Sequence, residues 1–235
     1  MFYTGIGGRY QKGSPEHARY AKIKKVFADS EEIISQEGLF SQKGVERIMR
    51  YFFELARKRK KHLTSCTKSN TLNYSMVYWD EVFRRVSKQY PDVETNFAFI
   101  DAICMWFVKN PERFDVIVAP NLFGDIITDL GAIIQGGMGL APGANINPHG
   151  ISMFEPIHGS APKYTSKDVA NPVASIWAAQ MMLEELREID AAKRIMNAIE
   201  EVLREGRIRT KDLGGSSRTS EMGDVIAETV RNLEY

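Results

Sequence analysis

A chain of 235 residues, 43% of them hydrophobic and 26% charged, with a formal net charge of +1, has the composition of an ordinary globular protein, enough for one large core or two smaller ones. The near-neutral balance gives no electrostatic footing for nucleic acid, no apolar run reaches the length of a membrane span, and the N-terminus has no signal-peptide pattern. Cys66 and Cys104 stand far apart without metal-ligand spacing, which fits buried free thiols in a reducing, cytoplasmic setting better than a disulfide framework.

Residues 1–15 are rich in glycine (Gly5, Gly7, Gly8, Gly13) and read as a loop. Residues 18–28 and 31–40 read as strands joined by a turn at Asp29-Ser30. Ser41 is placed to cap a long amphipathic helix whose stripe is Val45, Ile48, Met49, Phe52, Phe53 and Leu55. The basic run from Arg57 to Lys61 closes that helix, where cations complement its dipole. His62 to Thr67 predicts a strand that ends on Lys68-Ser69-Asn70. A lysine and an asparagine at the mouth of a strand lie where α/β proteins place functional groups, although a surface lysine in a polar turn looks the same. A helix over 71–90 and a strand over 94–99 follow. Asp101 then opens an apolar helix over 102–108, as an N-cap or as a ligand offered to a cation.

Phe114 to Val118 predicts a buried strand, Pro120-Asn121 breaks it, and a helical pattern follows. Asp125 and Asp129 are four apart, so a helix carries both carboxylates on one face. Leu122, Phe123, Ile126, Ile127, Leu130, Ile133 and Ile134 surround them. Two like charges among apolar side chains cost desolvation energy unless something pairs with them. Hard oxygen ligands suit magnesium, manganese or calcium; two solvated aspartates on an exposed stripe are the simpler alternative.

Gln135 to Gly143 is a glycine-rich turn without GxGxxG spacing. A short strand over 151–154 runs into Glu155-Pro156-Ile157-His158-Gly159-Ser160-Ala161-Pro162-Lys163-Tyr164. Its small residues let backbone approach a ligand, and Asn171-Pro172 opens a helix whose N-terminus favours anions. Helices over 173–186, 191–204 and 219–233 complete the chain, with a strand and glycine turn over 208–215 holding Asp212. Strand and helix alternate throughout, which argues α/β with a largely parallel sheet.

Taken in order, Thr67-Lys68-Ser69-Asn70, Asp101, Asn121-Leu122-Phe123-Gly124-Asp125 with Asp129, Phe154 to Pro162, Ala170-Asn171-Pro172 and Asp212-Leu213-Gly214-Gly215 resemble the metal-dependent β-decarboxylating dehydrogenases: isopropylmalate, isocitrate, D-malate and tartrate dehydrogenases. Gly7-Gly8-Arg9 and the Thr67–Asn70 form look most like the D-malate and tartrate branch. The resemblance implies an isopropylmalate dehydrogenase-like α/β fold, with a mixed or parallel sheet, flanking helices and two lobes. Residues 1–134 would be the small lobe of dimerisation and catalysis, and residues 135–235 the C-terminal part of the large, cofactor-binding lobe. Family members carry an N-terminal portion before the segment matching Met1, with substrate-binding arginines. On the resemblance the large lobe is therefore incomplete at its N-terminus.

The implied reaction is oxidative decarboxylation of a (2R)-hydroxy acid with a β-carboxylate, such as D-malate, tartrate or a 3-isopropylmalate-like acid. It uses NAD or NADP and Mg²⁺ or Mn²⁺, the metal serving as Lewis acid. Lys68 matches the base for the hydroxyl proton, a role that requires a pKa lowered from ~10.4. Tyr3 matches the proton donor to the enol carbon. Asp125 and Asp129 match metal ligands of one subunit, and Asp101 and Lys68 match groups that cross from the neighbour. A homodimer with shared sites is implied. His158, Gly159, Ser160, Ala161, Asn171 and Asp212 match the adenosine segment, and Asn70 a residue near the nicotinamide ribose. NAD-preferring members carry aspartate where Lys163 stands; Lys163-Tyr164 resembles members that hold a 2′-phosphate, and leans toward NADP. The alternative is a truncated or non-catalytic homologous subunit that regulates or completes another dehydrogenase chain. Such a subunit would have lost the lysine or the aspartates, and all four are present.

Overall fold

The computed structural model describes residues 2–23 and 25–233, with 2–7, 26 and 27 described by backbone alone. The chain forms two compact units, Met1–Asp125 and Ile126–Tyr235.

The first unit opens with strand β1 (Phe2–Gln11), helices α1 (Pro15–Ala21) and α2 (Lys25–Ala28), and strand β2 (Glu32–Leu39). Two expectations fail here. Residues 1–15, expected as a loop, supply β1, which pairs antiparallel with β2 in the register Arg9↔Ile34 and Tyr10↔Ile33. Glycine weakens a strand, but a partner strand overrides that propensity. Residues 18–28, expected as a strand, are largely helical. The missed signal is Ser14-Pro15: Ser14 Oγ accepts from the His17 N–H at 3.1 Å and Pro15 takes the first helical position, a combination that starts helices.

The rest of this unit follows the apolar pattern. Helix α3 (Gln42–Arg57), strand β3 (His62–Thr67), helix α4 (Ser75–Ser87), strand β4 (Glu94–Phe99), helix α5 (Ile100–Lys109) and strand β5 (Val116–Val118) build a parallel sheet in the order β4-β3-β5. Five of the six residues of the central strand β3 are buried, because helices cover a parallel sheet. Ser41 Oγ accepts from Gly44 N–H at 3.2 Å and caps α3. Val45, Met49, Phe53 and Ala56 then repeat at helical spacing and pack with Trp79, Val82, Phe83 and Val86 of α4 against Leu63, Val116 and Val118. Phe53 lies between Tyr90 and Phe83, with ring centroids at 4.7 and 5.3 Å. Trp79 Nε1 donates to the buried Ser65 Oγ at 3.1 Å, so the indole enters the core without leaving its donor unpaired.

Helix α6 (Asn121–Ile134) runs across the boundary between the units. The second unit continues with the antiparallel pair β6 (Pro142–Asn145) and β7 (Met153–Pro156), then helices α7 (Val173–Glu185), α8 (Ile189–Glu205) and α9 (Thr219–Asn232). Val173, Ala198, Ile199, Val202, Met222 and Ile226 form its core. The strand expected over 208–215 is absent: Thr210 O accepts from both the Leu213 and Gly215 N–H groups at 3.0 Å. That turn commits its backbone locally and leaves no ladder. Among the described residues no helix is long and apolar enough to cross a membrane.

Candidate functional site

Two groups of expected residues come together, one in each unit. In the first unit β3 and β4 run parallel with Thr67 opposite Phe99, so Lys68 and Asp101 leave the sheet at the same end. Their side chains meet, Lys68 Nζ donating to Asp101 Oδ1 at 2.7 Å, and the ammonium lies 5.8 Å from the centroid of the Phe99 ring. Asp101 is not an N-cap: Phe99 holds that position and Asp101 stands in the first turn of α5. The hydrogen bond from Lys68, followed by backbone N–H groups of the helix start, holds its carboxyl below the ordinary carboxylate range. Asn70 lies in the turn beyond Lys68, where Thr71 Oγ1 donates to its side-chain oxygen at 3.5 Å. Tyr3 stands opposite Gly38 in β1, and its side chain lies outside the described residues.

Asp125 and Asp129 share α6, and both are exposed. Asn121 Nδ2 donates to Asp125 Oδ1 at 3.3 Å. The desolvation cost expected from apolar surroundings does not arise in the single chain, because Leu122, Ile126 and Ile133 are 47–62% exposed beside the carboxylates. Among the described residues no three His, Cys, Asp or Glu side chains gather as a metal site. One chain therefore carries two exposed carboxylates on a helix, while Asp101 pairs with Lys68.

Cys66 is buried, Cys104 half-buried, and both are free. Burial, with a smaller effect of Cys104, pushes the Cys66 thiol up to about 12, which makes it a packing residue rather than a nucleophile.

In the second unit a cavity of about 680 Å³ is lined by His158, Gly159, Ser160, Ala161, Lys163, Tyr164, Asn171 and Asp212. These are all the expected cofactor residues except Asn70, which belongs to the other unit. The size suits a drug-sized or nucleotide-sized ligand. Ala161 turns the loop in the left-handed region at φ 41°, His158 Nδ1 donates to Gly159 O at 3.0 Å, and Lys163 Nζ stands 5.0 Å from the Tyr164 ring centroid. A side chain at Gly159 would meet nothing within 4 Å, so the glycine leaves open space in which a ligand can approach backbone. Asn171 Nδ2 donates to Asp212 Oδ2 at 2.9 Å and Thr210 Oγ1 to Asp212 Oδ1 at 2.6 Å. Gly139 and Ala170 also line the cavity and were not expected there; Lys211 lines it too, at a position where the NADP-type pattern that Lys163-Tyr164 resembles carries a tyrosine. Gly139 sits in a turn that lacks the phosphate-binding spacing.

The parallel sheet with a lysine–aspartate pair at its strand ends, followed by a unit with a ligand-sized cavity, defines the class, an α/β protein, and comparison with known proteins gives the family. An isocitrate dehydrogenase from Methylococcus capsulatus superposes with a TM-score of 0.81 at 44% identity, over 87% of this chain and 61% of that one. The family model of isocitrate/isopropylmalate dehydrogenase matches residues 7–226, and the chain belongs to that family. A probable tartrate dehydrogenase/decarboxylase of Bacillus subtilis is 44% identical over 233 residues, 98% of this chain and 61% of its own length. The D-malate dehydrogenase (decarboxylating) of Escherichia coli is 44% identical over 97% of this chain, again 61% of its own length. The chain thus spans about three-fifths of the relatives it matches, and both are from the branch that Gly7-Gly8-Arg9 and Thr67–Asn70 resemble.

Proposed function

We propose that the chain serves NAD(P)- and Mg²⁺/Mn²⁺-dependent oxidative decarboxylation of a (2R)-hydroxy acid of the D-malate, tartrate or 3-isopropylmalate type. The observation that carries this reading is the cavity of the second unit, which gathers eight of the nine expected cofactor residues. Family membership gives the chemistry, and the carboxylates of α6 give hard oxygens that suit either metal.

When bound, the metal supplies a Lewis acid and the nicotinamide a hydride acceptor. Lys68 takes the hydroxyl proton at Nζ, and Tyr3 returns a proton to the enol carbon. Asp125 and Asp129 hold the cation from one subunit. Asp101 completes the set from a second copy. On this reading the protein works as a homodimer with shared sites, in the cytoplasm. His158, Gly159, Ser160, Ala161, Asn171 and Asp212 bind the adenosine half and Asn70 the nicotinamide ribose. Lys163 and Tyr164 meet a 2′-phosphate, since a lysine is a point charge suited to phosphate.

Titration with NADP and NAD tests this reading. The wild-type chain should bind NADP more tightly, and Lys163→Asp should shift the ratio by about tenfold or more toward NAD, about 1.4 kcal/mol. Equal preference in both proteins removes the cofactor assignment. Mn²⁺ should raise the melting temperature, and Asp125→Asn should abolish that rise; an unchanged response in the variant removes the metal assignment.

A further inference from the structure

Helix α6 carries its two carboxylates on one face but does not treat them alike. Its first residue, Asn121, stands one turn before Asp125, and Asn121 Nδ2 donates to Asp125 Oδ1 at 3.3 Å. A carboxylate has no donor of its own, so the amide must present its nitrogen. Asp129, a turn further on, has no hydrogen bond or ion pair among the described residues.

The chain before the helix sets this register. Strand β5 ends at Val118. Pro120 is buried, and its carbonyl accepts the Gly124 N–H at 2.8 Å. That bond winds the first turn of α6 and starts the helix four residues before Asp125, so that Asn121, Asp125 and Asp129 form one row. The row opens on a donor and continues with two acids that repel each other at this spacing. An exposed aspartate on a helix is otherwise free to exchange rotamers. The bond from Asn121 is long and lies at the surface, so it contributes little to stability. What it can supply is orientation, the role that groups behind metal ligands commonly have.

We infer that Asn121 is a positioning residue for the divalent cation: its amide fixes the Asp125 carboxylate in the orientation that receives the ion, and Asp129 is the ligand left to adjust. The inference rests on reading Asp125 and Asp129 as ligands of Mg²⁺ or Mn²⁺, whose preference for hard oxygens the two side chains meet.

Titration of the full chain with Mn²⁺, the free ion counted by electron paramagnetic resonance, gives the dissociation constant without any turnover. Asn121→Leu keeps the bulk and removes the donor; it should weaken Mn²⁺ binding by about tenfold or more, the usual effect of losing a group behind a metal ligand. Asn121→Gln keeps an amide at the same helix spacing and should recover most of the affinity. Metal-free melting curves separate orientation from folding. Asn121→Leu should melt close to the wild type, whereas a merely structural role would lower its melting temperature without metal and would not be rescued by glutamine. If folded Asn121→Leu binds Mn²⁺ as tightly as the wild type or more tightly, or if Asn121→Gln binds no better than Asn121→Leu, the inference fails while Asp125 and Asp129 keep their assignment. If the wild type does not bind Mn²⁺, or Asp125→Asn binds it unchanged, the metal reading falls and the inference with it. Should Asn121→Leu not fold, Asn121→Ala removes the same donor and decides in its place.

Discussion

Lys68 and Asp101 meet within one chain, Nζ to Oδ1 at 2.7 Å, because two parallel strands in register deliver them to the same end of the sheet. A pair formed this way travels as a unit. If it serves a neighbouring copy's site, Lys68 and Asp101 arrive there together, while Asp125 and Asp129 remain with their own helix.

Mixed dimers test that arrangement without any assay of turnover. Asp101→Asn and Asp125→Asn chains should each bind little Mn²⁺ alone. After subunit exchange at equal amounts, half of the dimers contain one of each chain and hold one intact ligand set, so about a quarter of the wild-type sites should reappear. Electron paramagnetic resonance of free against bound Mn²⁺ counts them. No recovery on mixing would mean that each ligand set comes from a single chain.

Phe53 is the residue on which the first unit's core turns. It is fully buried between Tyr90 and Phe83, so its removal leaves a cavity under both rings. Phe53→Ala should cost about 3–5 kcal/mol, read as a shift of the urea midpoint at constant slope. Phe53→Leu should cost clearly less, because it refills most of the volume.

The helical part of the first unit was legible because burial enforces period: Val45, Met49, Phe53 and Ala56 repeat on one face of α3, whereas β3, buried yet carrying His62, Thr64, Ser65 and Thr67, was legible as a strand only by its place after that helix. Strand β1 was not legible, because its glycines hide a strand that exists only through its pairing with β2. The cavity residues were visible through the order of their motifs. The Thr210 hydroxyl's bond to Asp212 and the close approach at Gly139 were not, since a buried hydroxyl and a missing side chain leave no periodic trace. The exposure of Asp125 and Asp129 could not be read either: whether apolar neighbours on a helix are covered depends on what packs there, which periodicity alone does not supply.

Cys66 should be inert in the native protein. Burial pushes its thiol up to about 12, so almost no thiolate exists at neutral pH, while Cys104 is half-buried and more accessible. A thiol-specific chromogenic reagent at pH 8 should label one cysteine in the native chain and both in denaturant. Peptide mapping should find the native label on Cys104. Rapid native labelling of Cys66 would contradict the burial.

Asp168 ties the cavity loop to α9, and its effect should depend on pH in a definite direction. It sits in the left-handed region at φ 54°. Its Oδ1 accepts from Ser220 N–H at 2.9 Å, its Oδ2 from Ser220 Oγ at 2.6 Å, and its carbonyl from Thr219 N–H at 3.0 Å. The Ser220 hydroxyl and then the Ser220 N–H hold its carboxyl below the ordinary carboxylate range, with Arg218 adding to the shift. A carboxylate whose pKa is lowered by folding contributes stability that is fully present above the unfolded value, ~3.9, and is lost as pH falls through the folded value. Asp168→Ala should therefore melt below the wild type at pH 7, and the gap should narrow as the pH falls below the unfolded value of ~3.9 and through the lower folded one. Asp168→Asn should lose less, because asparagine tolerates this backbone region and keeps one acceptor for Ser220. The same loop leads into Asn171, and Thr219 Oγ1 donates to Ala170 O at 2.6 Å, so nucleotide affinity should fall along with the melting temperature in Asp168→Ala. Melting curves from pH 2 to 8 give the first comparison and calorimetry at pH 7 the second; a gap that stays constant with pH would show that the carboxylate's charge plays no part in tying the loop to α9.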